Sequence, residues 1–172
     1  MDYINYVKQS PMSMSGMGGP VGGLNFHSGG AEVTTFRGNR GIISLKTYSS
    51  THYNNIDYYN LSSPSNAQDF GDLTVARGYG GSVAGGGGPT SSRGVFGAGS
   101  APTGGTNIMD YITIGSTGNA TDFGDLNYAS GSLGGSCSNG IRGVFSNGYG
   151  NPDGYASAGK IDYITISTTG NA

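Results

Sequence analysis

The chain has 172 residues, with 35 Gly, 12 Tyr, no Trp, only 10% charged residues and a net charge of −2. This excludes nucleic-acid binding through clustered Lys and Arg, because the 8 basic residues are scattered and form no stripe. Glycine at this level without a Gly-X-Y period marks low complexity. Disordered chains, however, also combine few aromatics with high net charge, so ordered short strands joined by glycine-rich turns are expected here.

In chain order, Met1-Asp2-Tyr3-Ile4-Asn5-Tyr6-Val7 is a β-compatible run closed by Lys8-Gln9-Ser10-Pro11. It lacks the basic and apolar regions of a signal peptide. No run approaches the ~18 apolar residues of a membrane span, so a soluble chain without membrane insertion is expected. Over residues 10–30, Met12, Met14 and Met17 lie among Ser, Gly, Pro11 and Pro20, a composition that opposes helix at almost every turn. Strands are expected at Leu24–His27 and Gly41–Lys46. Residues 1–39 therefore read as an N-terminal strand and an extended Gly/Met-rich arm that makes assembly contacts.

From residue 40 to 172 a β-repeat domain is legible. Arg40-Gly41-Ile42-Ile43 matches Arg93-Gly94-Val95-Phe96 and Arg142-Gly143-Val144-Phe145, at intervals of 53 and 49 residues. Ile56-Asp57-Tyr58, Met109-Asp110-Tyr111-Ile112-Thr113-Ile114 and Ile161-Asp162-Tyr163-Ile164-Thr165-Ile166 recur in step. Asp69-Phe70-Gly71-Asp72-Leu73 and Asp122-Phe123-Gly124-Asp125-Leu126 follow the first two of these, whereas the third stops at Asn171-Ala172. One unit reads as a Gly-rich small-residue strand, an Arg-Gly strand, an Asp-Tyr strand and an Asp-Phe-Gly-Asp strand. Asp110, Ile112 and Ile114 alternate with Met109, Tyr111 and Thr113, which is the period of a strand. Units are expected at about 40–92, 93–141 and 142–172, the last incomplete. Four strands in about fifty residues is the size of a propeller blade of the kelch type, with a β-solenoid or fibre-like stack as the alternative. About three units are too few to close a propeller, so oligomerisation is expected to complete the fold. Met1–Val7 is expected to fill an incomplete sheet, in the same chain or in a neighbour.

No catalytic, cofactor-binding or metal-binding residue is assigned. Asp-Phe-Gly also occurs in the kinase magnesium loop, but no Gly-rich phosphate loop or His-Arg-Asp loop accompanies it here. A calcium site needs more oxygen ligands than an Asp pair supplies, so turn and strand-end hydrogen bonding is the expected role of these carboxylates. Arg40, Arg93 and Arg142 recur in register with Asp57, Asp110 and Asp162, which predicts a repeated Arg–carboxylate pair. The general acid–base inventory is poor, with His27, His52 and Glu32 outside the repeat elements, and the chain is not expected to be an enzyme. Gly85-Gly86-Gly87-Gly88 lacks the Lys-Ser/Thr and helix of a phosphate loop. Cys137, the single cysteine, excludes an intrachain disulfide and reads as a small buried or half-buried side chain. Asn60-Leu61-Ser62 and Asn119-Ala120-Thr121 fit the glycosylation pattern. Tyr48, Tyr53, Tyr79, Tyr149 and Tyr155 lie beside Gly and Asn, as in adaptable recognition loops.

The unit Asp110-Tyr111-Ile112-Thr113-Ile114 … Ser116-Thr117-Gly118-Asn119-Ala120-Thr121-Asp122-Phe123-Gly124-Asp125-Leu126, preceded by Arg93-Gly94-Val95-Phe96-Gly97, resembles the Asp-Tyr-Ile-Thr-Ile repeats of virion structural and tail-fibre-like proteins of cyanophages and other aquatic phages. The resemblance covers roughly residues 40–172. It implies a phage origin, a virion location after synthesis in the host cytoplasm, and partners that are copies of itself and other virion proteins, with a host cell-surface glycan as a further candidate. It brings no catalytic or binding residue with it.

Overall fold

The computed structural model describes residues 40–63, 65–85, 92–149 and 159–172. The arm expected over 1–39, with its strands at Met1–Val7 and Leu24–His27, lies outside these residues, as do Gly86–Gly88, His27, Glu32 and Tyr155. Among the described residues the chain is all-β, with no helix. The first sheet joins β1 (Arg40–Ile43), β4 (Asn55–Asn60) and β5 (Gln68–Asp72), and a two-stranded hairpin of β2 (Thr47–Tyr48) and β3 (Thr51–His52) branches from it. The second orders β6 (Gly81–Gly85), β7 (Arg93–Ala101), β8 (Gly104–Thr113) and β9 (Thr121–Ser130). The third orders β10 (Leu133–Ser138), β11 (Arg142–Asn147) and β12 (Ile161–Thr165).

Every pairing among the described residues is antiparallel, the arrangement that short connections between chain-adjacent strands allow and that β1 and β4 keep across the intervening hairpin. The Arg-Gly and Asp-Tyr strands keep one register throughout: Ile42 faces Tyr58, Val95 faces Tyr111 and Val144 faces Tyr163. β6 and β10 precede the expected unit boundaries at 93 and 142 and pair with the strands that follow them. The strand expected over Gly41–Lys46 starts at Arg40 and ends at Ile43, because Leu45 takes a positive φ of 59° and turns the chain into the β2–β3 hairpin.

The sheets pack through two apolar cores of matching composition. In one, Ile42, Ile56, Tyr58, Phe70 and Leu73 of the first sheet meet Phe96, Ile112, Ile114 and Ala120 of the second. In the other, Val95, Met109, Tyr111, Phe123 and Leu126 of the second sheet meet Phe145, Ile164, Ile166 and Ala172 of the third. Each sheet thus has a forward face, turned toward the sheet that follows it in the chain, and a backward face. The side chains of the two faces alternate along each strand. The middle sheet is covered on both faces, so β7 is buried at nearly every position from Gly94 to Ala101. β12 is buried only at alternate positions, Asp162 and Ile164. Close approach relies on small residues: a Cβ on Gly97 would lie 3.0 Å from the Phe145 ring, and one on Gly143 would lie 2.5 Å from Val83. Fully burying side chains such as Ile56, Met109 and Phe145 contributes about 1.5–3 kcal/mol each.

Candidate functional site

The residues that recur between units converge on the junctions between sheets. The expected Arg–carboxylate pairing is not what forms. Arg40, Arg93 and Arg142 each stack on the tyrosine of the neighbouring strand, at 4.8 Å from Tyr58, 4.4 Å from Tyr111 and 5.3 Å from Tyr163. In the first two sheets that tyrosine also meets the Asp-Phe-Gly-Asp phenylalanine edge-on, Tyr58 with Phe70 at 5.9 Å and Tyr111 with Phe123 at 6.0 Å. The guanidinium then reaches into the next sheet: Arg40 Nη1 donates to the Ile114 carbonyl at 3.0 Å, and Arg93 Nη1 to the Ile166 carbonyl at 3.3 Å. The arginine therefore fastens one sheet to the next rather than neutralising a carboxylate. Lysine keeps the charge but loses the planar stack. Arg93→Lys is therefore expected to cost about 1 kcal/mol, measured as a lowered urea midpoint. Arg142→Lys, on a tyrosine exposed in the single chain, should leave the midpoint of the monomer unchanged. Equal effects would show that the junction contact is not what matters.

The repeated aspartates have other partners. Asp57 pairs with Lys46 at a partly exposed site. Asp110 and Arg77 form a fully buried pair at 2.7 Å, both 0% exposed. Arg77 gives further donors to the carbonyls of Ala98 (3.0 Å), Val75 (3.3 Å) and Phe96 (3.3 Å). The Asp110 carboxylate also accepts from the Thr74 hydroxyl (2.6 Å) and backbone amide (3.2 Å). One junction later Asn127 stands where Thr74 stood and donates to Asp162 Oδ1 at 2.9 Å. Ser130 occupies the position of Arg77, and Asp162 Oδ2 is left without a hydrogen-bond partner among the described residues. Sequence reasoning passed over Arg77 because it does not recur. Its signal was a lone charge in the small and apolar stretch Val75-Ala76-Arg77-Gly78.

The glycine, asparagine and alanine of the turns form a clasp. Gly118 and Ala120 donate their amides to the carbonyls of Phe70 and Asp72, each at 2.8 Å. Gly170 and Ala172 repeat this on Phe123 (2.7 Å) and Asp125 (2.9 Å). The Asn side chain closes each clasp, Asn119 Oδ1 accepting from the Asp72 amide at 3.1 Å and Asn171 Oδ1 from the Asp125 amide at 3.0 Å. The glycine of Asp-Phe-Gly-Asp makes this possible. Gly71 has φ +147° and a Cβ there would lie 2.4 Å from the Gly118 carbonyl oxygen; Gly124 has φ +132° and a Cβ there would lie 2.5 Å from Gly170. The motif is thus a docking strip for the following turn. Its carboxylates take the strand-end role expected of them at Asp122, whose side chain accepts from the Gly124 amide at 3.3 Å.

The other candidates are not drawn into one place. Cys137 is exposed on β10, not buried, because that edge strand is exposed at every position after Leu133. His52 lies in the β2–β3 hairpin with a buried Nδ1 that has no partner among the described residues. Tyr48 is strand rather than loop, and Tyr48, Tyr79 and Tyr149 are exposed at different heights of the chain. Both glycosylation-pattern asparagines serve turns, Asn60 capping Ser62 at 3.1 Å and Asn119 closing its clasp. Among the described residues no three His, Cys, Asp or Glu side chains gather as a metal site would require. An open groove of about 580 Å³ runs along the edge of β12 that no strand pairs with among the described residues, lined by Tyr163, Ile164 and Thr165, by Phe123 and Asn127, and by the turn at Thr168–Ala172. No protein-family model matches the chain, and a comparison with curated proteins finds no relative.

Proposed function

We propose that the protein is a non-enzymatic structural protein of a phage virion that self-assembles into an appendage, fibre or filament, with its N-terminal strand exchanged between copies. In this reading the sheets are four-stranded, kelch-like blades of about fifty residues that oligomerisation completes. The phage and virion assignment rests on the resemblance of the Asp-Tyr-Ile-Thr-Ile unit. The observation that carries self-assembly is the β12 edge. β4 and β8 pair on that side with β5 and β9, whereas β12 borders only the groove among the described residues. An open strand edge recruits another strand, and Met1–Val7 is the segment with matching β character. The mass in solution of the full chain beside a version lacking residues 1–9 tests this. A defined oligomer or filament that falls to monomer or aggregate on truncation is expected. Two well-folded monomers would overturn the assembly reading.

A second reading, a lectin-like host-receptor-binding module of a tail fibre, is favoured by the exposure of Tyr48 (76%), Tyr79 (60%) and Tyr149 (67%). Against it, these tyrosines occupy different positions in their units, so they build no repeated sugar cleft.

A further inference from the structure

The third sheet carries the same forward face as the two before it, but among the described residues nothing covers it. Arg142, Val144, Ile161 and Tyr163 occupy the positions of Arg93, Val95, Met109 and Tyr111, and of Arg40, Ile42, Ile56 and Tyr58. Where Met109 and Ile56 are 0% exposed, Ile161 is 67% exposed, and Tyr163 is 61% exposed. The Arg142 side chain stacks on Tyr163 as its counterparts do, but has no carbonyl acceptor among the described residues. At the other end of the row, the first sheet shows an uncovered backward face. Ile43 and Leu61 stand where Phe96 and Ile114, and then Phe145 and Ile166, pack into a junction, and they are 44% and 45% exposed.

From this we infer that the forward face of the third sheet docks the backward face of the first sheet of a second copy, repeating the internal junction between molecules. The inference rests on the self-assembly reading and names its surface. The occupant is a second copy because the two uncovered faces are complementary halves of a junction this chain already makes twice. Ile161 and Tyr163 supply the half given by Met109 and Tyr111, and Ile43 and Leu61 the half given by Phe145 and Ile166. By the same equivalence Arg142 donates to the Leu61 carbonyl of the second copy, as Arg40 does to Ile114 and Arg93 to Ile166. Such a contact is heterologous: it joins two different patches and propagates as a ring or an open row.

The test uses two full-length double variants, one per face: Ile161→Asp with Tyr163→Asp, and Ile43→Asp with Leu61→Asp. All four positions are exposed in the single chain, so unchanged circular dichroism is expected. A carboxylate buried at the junction should weaken association at least about tenfold. Each variant alone should run as a monomer, and an equimolar mixture should form a dimer containing one of each, since one intact junction remains available. If the wild type assembles and either variant assembles equally well, these faces are not the contact, and self-assembly stands through another one. If both variants are monomeric and mixing restores nothing, the contact is not head-to-tail and the inference falls. If the wild type is itself a monomer, the inference and the self-assembly reading fall together. Should an aspartate variant unfold, Tyr163→Ser and Leu61→Ser carry the same mixing readout.

Discussion

Asp110→Ala is expected to cost about 3–5 kcal/mol, the largest loss from any single carboxylate in the chain, because it strands a fully buried guanidinium. Arg77 and Asp110 are both 0% exposed, so bulk solvent does not reach the guanidinium to replace the carboxylate. The Ala98, Val75 and Phe96 carbonyls would keep the arginine in place while leaving its charge uncompensated. Arg77→Met in the same background should recover part of the loss by removing that charge. Recovery stays partial, because it frees the Ala98 and Phe96 carbonyls of their donor and leaves buried acceptors unsatisfied. Urea unfolding of the two single variants and the double variant measures the coupling. A cost under about 1 kcal/mol for Asp110→Ala would show that the pair is solvated and does not lock the first sheet to the second.

Alanine at the clasp glycines should be nearly as costly and more local. Gly124→Ala places a Cβ in contact with Gly170 and holds a side chain at φ +132°. The strained backbone costs about 1–3 kcal/mol, and the three hydrogen bonds of that clasp add roughly 1 kcal/mol each if lost. Hydrogen exchange reads the effect residue by residue. The amides of Asp125, Gly170 and Ala172 should lose protection in Gly124→Ala, while those of Asp72, Gly118 and Ala120 keep theirs. Gly71→Ala should show the reverse. Uniform loss across both clasps would mean that the sheets unfold as one body and that the clasps are not separate fastenings.

Much of the strand content was legible because it follows local rules. The alternation in Met109–Ile114 gave β8 its two faces, and both are buried because that sheet is flanked on each side. The recurrence of Arg40, Arg93 and Arg142 correctly marked positions of structural weight. It misled on chemistry, since opposite charges at a common period invite pairing, whereas aromatic stacking and a carbonyl in the next sheet satisfy arginine equally well. Which neighbour wins depends on register: Val95 opposite Tyr111 sets Arg93, two residues back on the same face, beside that ring, and Asp110 points the other way. Cys137 was misplaced for a related reason: composition favours burial of cysteine, but burial is decided by strand position, and β10 is an edge. Arg77 stayed invisible because a repeat-based reading averages away the residue that occurs once.

The two internal junctions share, at the same register, arginine on tyrosine, the apolar set between sheets and the Gly-Asn-Ala turn over Asp-Phe-Gly-Asp, and differ at the buried Arg77 and its counterpart Ser130. A tandem duplication of one unit therefore inherits a working contact on both sides at the moment it arises, with no need to evolve a new interface. Deleting a whole unit spares these shared contacts in the same way, because the flanking faces still match. Chain length in such a protein is thus an easily varied trait, whereas the identity of Gly71 and Gly124 is not. Lineages carrying this unit would be expected to differ by whole multiples of it far more often than by substitutions at its clasp.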